Sequence, residues 1–153
     1  MIVLYTRDAM KKHYLKHLLK MQWSDRVALM SYAMKIPFYQ FALNKLGYNR
    51  FQELFLNSRA DIHVEDDVDY AKRHGQLINF AVNGVAGADN CLLRSVMLAR
   101  LLKRKGFHPE IKFGVRKNTD AFLAHSWVEL EGRSINDQSD VAERHNSFKT
   151  TNS

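Results

Sequence analysis

The chain has 153 residues, long enough to bury one hydrophobic core without disulfide or metal staples. With 46% hydrophobic and 25% charged residues it has the composition of a globular protein, which excludes a mostly disordered chain. The net charge of +7 raises the question of an acidic partner, but no basic patch with interleaved aromatics accompanies it, so nucleic acid is not expected.

The N-terminus, M-I-V-L-Y-T-R-D, carries an acid early and lacks a signal-peptide apolar run. No run reaches the roughly 18 apolar residues of a membrane span. One cysteine excludes an internal disulfide and fits a reducing compartment, so the expected location is cytoplasmic. From Asp8, a suitable cap, to Met21, the apolar residues Met10, Tyr14, Leu15, Leu18 and Leu19 recur at helical spacing. Lys12, Lys16 and Lys20 share a solvated face that can also meet an acidic peptide. His13 and His17 have the spacing of paired zinc ligands, but no metal motif surrounds them, and no metal is expected.

Ser24 opens a second predicted helix with Asp25 in its first turn, and Pro37 should break or kink it near Lys35. A further turn or two close at Gly47. Tyr32, Phe38, Tyr39 and Phe41 read as packing between helices. Residues 50–57 read as a short amphipathic helix, followed by a turn-rich S-R-A-D-I-H. Glu65, Asp66, Asp67 and Asp69 then supply the negative start of another helix and lack the spacing of a calcium loop.

The segment G-V-A-G-A-D-N leads to Cys91, with Asp89 or Asn90 suited to cap the helix that the cysteine begins. Leu92, Leu93, Val96, Met97, Ala99, Leu101 and Leu102 give that helix a wide apolar face, and Gly106 stops it. From Pro109 the period changes to two: Ile111, Phe113 and Val115 alternate with polar or small residues. In F-L-A-H-S-W-V-E-L, His125, Trp127 and Glu129 share a face, and E-G-R turns the chain into S-I-N-D. The expected fold is α+β: residues 1–85 a helical scaffold and docking region, 86–140 a catalytic core with a small antiparallel sheet, and 141–153 a loose tail, all one domain.

Cys91 at a helix start, His125 on a strand and Asp137 past a hairpin stand in the order a thiol nucleophile needs. The helix N-terminus and an imidazolium both favour the thiolate, and the carboxylate fixes the histidine tautomer. By residue type alone, a lone cysteine on an apolar helix is more often a small buried hydrophobe and a lone strand histidine more often structural; the three residues in this order bring the catalytic reading level with that one.

The strings C-L-L-R-S-V-M-L-A-R-L-L-K-R-K-G, G-V-R and A-H-S-W-V-E-L-E-G-R-S-I-N-D resemble the core of the lasso-peptide maturation proteases, a transglutaminase-like branch of the cysteine peptidases. The resemblance is close over 90–137 and looser over 20–55. It implies a papain-like or transglutaminase-like fold with Cys91 as nucleophile, His125 as base and Asp137 as third member. It also implies a leader peptidase acting on a ribosomally made precursor peptide, whose freed N-terminal amine an asparagine-synthetase-like lasso cyclase then joins to a side-chain carboxylate. Because residues 1–85 read as helical, no fused leader-recognition domain is expected, and a discrete leader-recognition protein becomes an expected partner. No phosphate loop is present, so no cofactor is expected to bind directly and any ATP requirement falls to the cyclase. The backbone N–H of Cys91 is the natural first oxyanion donor, with Gln76, Asn79 and Asn83 as candidates for a second. Trp127 either lines the groove or covers the sheet, and Arg94 either meets a carboxylate or stays solvated. A transglutaminase-like acyltransferase using the same triad, or a non-catalytic basic adaptor, are the alternatives.

Overall fold

The computed structural model describes residues 18–57, 67–87, 89–118, 121–138, 141 and 146–148. The Asp8 cap, Lys12, Lys16, His13, His17, Glu65 and Asp66 lie outside the described residues.

Helix α1, Trp23–Phe51, starts one residue before the predicted Ser24, with Gln22 at its N-cap and no side-chain cap. Asp25 occupies the first turn and pairs with Arg73 at 2.7 Å. The expected break at Pro37 does not occur, and the interruption lies at Gly47. Pro37 loses one main-chain hydrogen bond and crowds the preceding turn. Leu29, Tyr32, Ile36, Tyr39 and Ala42, buried before and after it, hold the helix continuous. Gly47, at φ 72° and ψ 168°, adopts a conformation reserved for glycine, and there the axis bends. Beyond Phe51 the chain forms a π-helical turn, Gln52–Leu56, where a short amphipathic α-helix was expected over 50–57.

Helix α2, Val68–Val85, starts at Asp67, whose carboxylate accepts the Tyr70 N–H at 2.8 Å, with Asp69 in the first turn. Those two acids serve the helix start as the sequence suggested. Helix α3, Cys91–Arg104, buries Leu93, Val96, Met97, Leu98, Ala99 and Leu102 in one cluster with residues of α1, α2 and the sheet. Arg100 and Lys103 on α3 donate to the carbonyls of Phe55 and Leu56, tying the end of the π-helical turn to this central helix.

Four strands follow: β1 Glu110–Asn118, β2 Ala121–Leu130, β3 Arg133–Ser134 and β4 Asn146–Phe148, in the antiparallel order β3-β2-β1-β4. Glu131 and Gly132, both at positive φ, form the two-residue turn between β2 and β3. Alternation on β2 is as predicted. Ser126, Val128 and Leu130 are buried, and the Ser95 hydroxyl of α3 donates to that of Ser126 at 3.4 Å. His125, Trp127 and Glu129 occupy the other face. The stretch from 141 was expected to be loose, but Val141 is fully buried and 146–148 pair with β1. A main-chain ladder requires no apolar side chains, which is why the polar composition concealed it.

The architecture is thus α+β, and none of the helices described is long and apolar enough to cross a membrane. Replacing Gly47 by Ala should lower stability by about 1–3 kcal/mol, the cost of forcing a side chain into this backbone conformation. Pro37→Ala should raise it by about 1–3 kcal/mol by restoring a helix former. Urea denaturation followed by circular dichroism measures both.

Candidate active site

Cys91 is the first residue of α3 and is partly exposed. Asn90 holds the N-cap position, but its side chain does not cap α3. Its amide donates backward to the Ala86 carbonyl at 2.6 Å and to that of Gly87 at 3.4 Å, closing the end of α2. Helix ends leave main-chain groups unpaired, and here the amide satisfies the C-terminal carbonyls of one helix rather than the N–H groups of the next. The positive end of α3 therefore lies beside the Cys91 thiol without an Asn90 carbonyl oxygen over it.

The thiol meets two consecutive residues of β2. It hydrogen-bonds the His125 side chain, and it also bonds Ser126 through both the hydroxyl and the main chain. Nε2 of the His125 ring lies 2.5 Å from Asp137 Oδ2. Asp137 Oδ1 accepts the Gln138 N–H at 2.7 Å, so both carboxylate oxygens are engaged and the plane of the group is fixed. The His125 and Asp137 side chains are 23% and 24% exposed, open enough for a substrate to approach and sheltered enough for the charges to interact strongly.

Asp137 reaches His125 because the segment beyond β3 continues alongside β2. Ile135 N–H donates to the Val128 carbonyl at 2.9 Å, and the Asn136 side-chain oxygen accepts the Val128 N–H at 2.8 Å. From α2, Asn79 Nδ2 donates to the Asn136 carbonyl at 2.8 Å, immediately before Asp137. Gly75 allows this approach, since a β-carbon there would lie 3.3 Å from Leu98 Cδ2 and 3.4 Å from Asn136 Cβ.

These contacts set the charges. The His125 hydrogen bond, assisted by the bonds to Ser126, outweighs burial and brings Cys91 down to about 7 from the 9.0 of an ordinary thiol. Its bond to Asp137, then that to Cys91, pushes His125 up to about 9. Between those values the thiolate and imidazolium coexist. A nucleophile, a proton donor and an orienting carboxylate are the parts required for acyl transfer through a thioester.

The structure brings the three predicted residues, Cys91, His125 and Asp137, together. It reassigns the neighbours. Asn79 holds the Asp137 segment, and its Oδ1 is buried with no partner among the described residues. Asn83 Oδ1 accepts from Arg94 Nη1 at 3.3 Å, joining α2 to α3, while Gln76 is exposed. Trp127 is fully buried beside His125, at 6.1 Å between ring centres, and its indole N–H donates to Glu129 at 2.7 Å. It is sheet cover, not groove lining. Sequence reasoning missed Ser126 and Ser95. Strict alternation points Ser126 away from His125, and only its place in A-H-S-W-V-E hinted at a role. Among the described residues no group of three or more His, Cys, Asp or Glu is placed to hold a metal.

An α+β fold with a thiol at a helix start, an imidazole on the adjoining strand and a carboxylate beyond the hairpin defines a transglutaminase-like domain. A family model described as the transglutaminase-like superfamily matches residues 41–153, and the chain belongs to that superfamily. No curated protein and no solved structure matches the chain.

Alkylation of Cys91 by iodoacetamide should rise with pH about a midpoint near 7, because the reactive thiolate is lost as pH falls through that value. In His125→Ala the midpoint should move up toward 9.0. Mass spectrometry across the pH range follows both curves.

Proposed function

We propose that this protein is a cysteine endopeptidase of lasso-peptide maturation, removing the leader from a ribosomally made precursor and freeing the N-terminal amine of the core. The observation that carries the reading is the hydrogen-bonded set Cys91, His125 and Asp137. The strings around it supply the substrate class by resemblance.

In this reading the Cys91 thiolate attacks the carbonyl of the scissile bond. The developing oxyanion faces the first amide of α3, where the helix dipole favours negative charge. The His125 imidazolium protonates the departing amine of the core peptide, leaving the leader as a thioester on Cys91. The histidine, now neutral, takes a proton from water, and the hydroxide formed releases the leader as a carboxylate. Asp137 keeps Nε2 engaged throughout, so that Nδ1 faces the thiol and then the leaving nitrogen.

A discrete leader-recognition protein delivers the precursor, and an asparagine-synthetase-like cyclase uses the freed amine to close the macrolactam. Any ATP requirement belongs to that cyclase. Membership of the transglutaminase-like superfamily supports a second reading, in which an amine replaces water at the thioester. Product analysis with an added primary amine separates the two, since transfer leaves the leader as an amide.

With precursor and recognition partner present, the wild type should release a leader ending in a free carboxylate. Cys91→Ala should leave the precursor intact, and His125→Ala should slow release by roughly 10²–10⁴-fold. Cleavage by the alanine variant at the wild-type rate, read by mass spectrometry, sinks the proposal.

A further inference from the structure

Helix α1 is apolar on two opposite faces. One face buries Leu29, Tyr32, Ile36, Tyr39 and Ala42. On the other, Trp23, Val27, Met30, Met34, Phe38 and Phe41 are all exposed, from 54% at Val27 to 77% at Trp23. At 3.6 residues per turn these six form a straight stripe about 27 Å long and about 80° wide. A helix that is apolar all round is normally covered all round, and a contiguous apolar surface of this length marks an interaction site.

The charge around the stripe has one sign. Helix α1 has a single carboxylate, Asp25, already paired with Arg73, against Arg26, Lys35, Lys45 and Arg50. Helix α3 has no acid at all. Between the two helices lies a cavity of about 600 Å³ whose lining includes Tyr32, Lys35, Tyr39, Arg100, Arg104 and Lys105 and no carboxylate. That cavity lies against the buried face of α1, with Tyr32 and Tyr39, and none of the stripe residues lines it. At the edge of the stripe Phe38 packs edge-on against Tyr39 and Phe55, and the Arg100 guanidinium stands 5.0 Å over the Phe55 ring.

Three kinds of occupant fit an exposed apolar stripe, and the charge selects among them. A second copy of this chain would set the same cations against each other. A helix lying on a membrane surface carries a strongly charged face opposite its apolar one, whereas the face of α1 opposite this stripe is buried in the core. We propose that the outer face of α1, with the cations of that helix around it, docks an amphipathic helix of another polypeptide. That helix is apolar along one side and bears Asp or Glu on the flanks that meet Arg26 and Lys35 on either side of the stripe and Lys45 one turn beyond Phe41. The inference does not depend on the peptidase reading, since none of these residues touches Cys91, His125 or Asp137.

The probe is a labelled helical peptide of about 20 residues, enough to span the stripe, with leucines along one face and glutamates on the flanks. Fluorescence anisotropy compares it with versions carrying lysine for glutamate or serine for leucine. The glutamate form should bind at least about tenfold more tightly than either control. Met34→Glu should weaken it by a similar factor, and the pair Lys35→Glu with Lys45→Glu should reverse the preference toward the lysine form. Unchanged alkylation of Cys91 in these variants shows that the fold is intact. A photo-crosslinker at position 34 should capture the peptide. Equal binding of the glutamate and lysine peptides overturns the proposal, as does crosslinking to a second copy or to residues 1–17 of the same chain. Binding to vesicles of anionic lipid without binding to the peptide also overturns it.

Discussion

The placement of α3 is the constraint on which the rest of the molecule depends. Its apolar face is buried among α1, α2 and β2, so its axis has little freedom to slide or rotate in a close-packed interior. The first turn of that helix therefore arrives beside β2 at a fixed height, and Cys91 meets His125 and Ser126 there. Ser95, one turn further along and fully buried, repeats the contact by donating to Ser126. Thiol and imidazole are thus held by packing, with few demands on loops.

Asp137 is held differently. It follows a two-residue hairpin and depends on main-chain and amide hydrogen bonds around Val128, Ile135 and Asn136, with Asn79 gripping the same segment from α2. Such polar links are directional, and they aim a carboxylate more narrowly than apolar contact does. The cost is visible at Asn79, whose Oδ1 is buried without a partner among the described residues while its Nδ2 does the holding. Residues from β2, from the segment beyond β3 and from two helices thus meet around one site.

Much of this was legible in the sequence because it rests on period and punctuation. The apolar face of 91–104, the alternation across His125 and the E-G turn each follow from local rules, and together they place Cys91, His125 and Asp137 in one neighbourhood. What escaped depends on tertiary context. Pro37 should end a helix by its own chemistry, yet buried residues before and after it override a local penalty of about 3 kcal/mol. Asn90 has the residue type of a cap but spends its amide on the preceding helix, a choice fixed only by where α2 ends. Ser126 was hidden by the alternation that located His125. β4 was hidden because strand pairing uses the main chain, and polar residues pair as well as apolar ones.

The Asn90 link joins more than two helix ends. Through it, the last turn of α2 and the residue just before the thiol share one hydrogen-bonded junction, and α2 also grips the Asp137 segment through Asn79. Fraying of α2 at its C-terminus would therefore loosen the thiol and the carboxylate in the same event. The thiol and the carboxylate thus share one unit of opening with the end of α2, so amide exchange near the site should report the stability of α2 as much as that of the sheet.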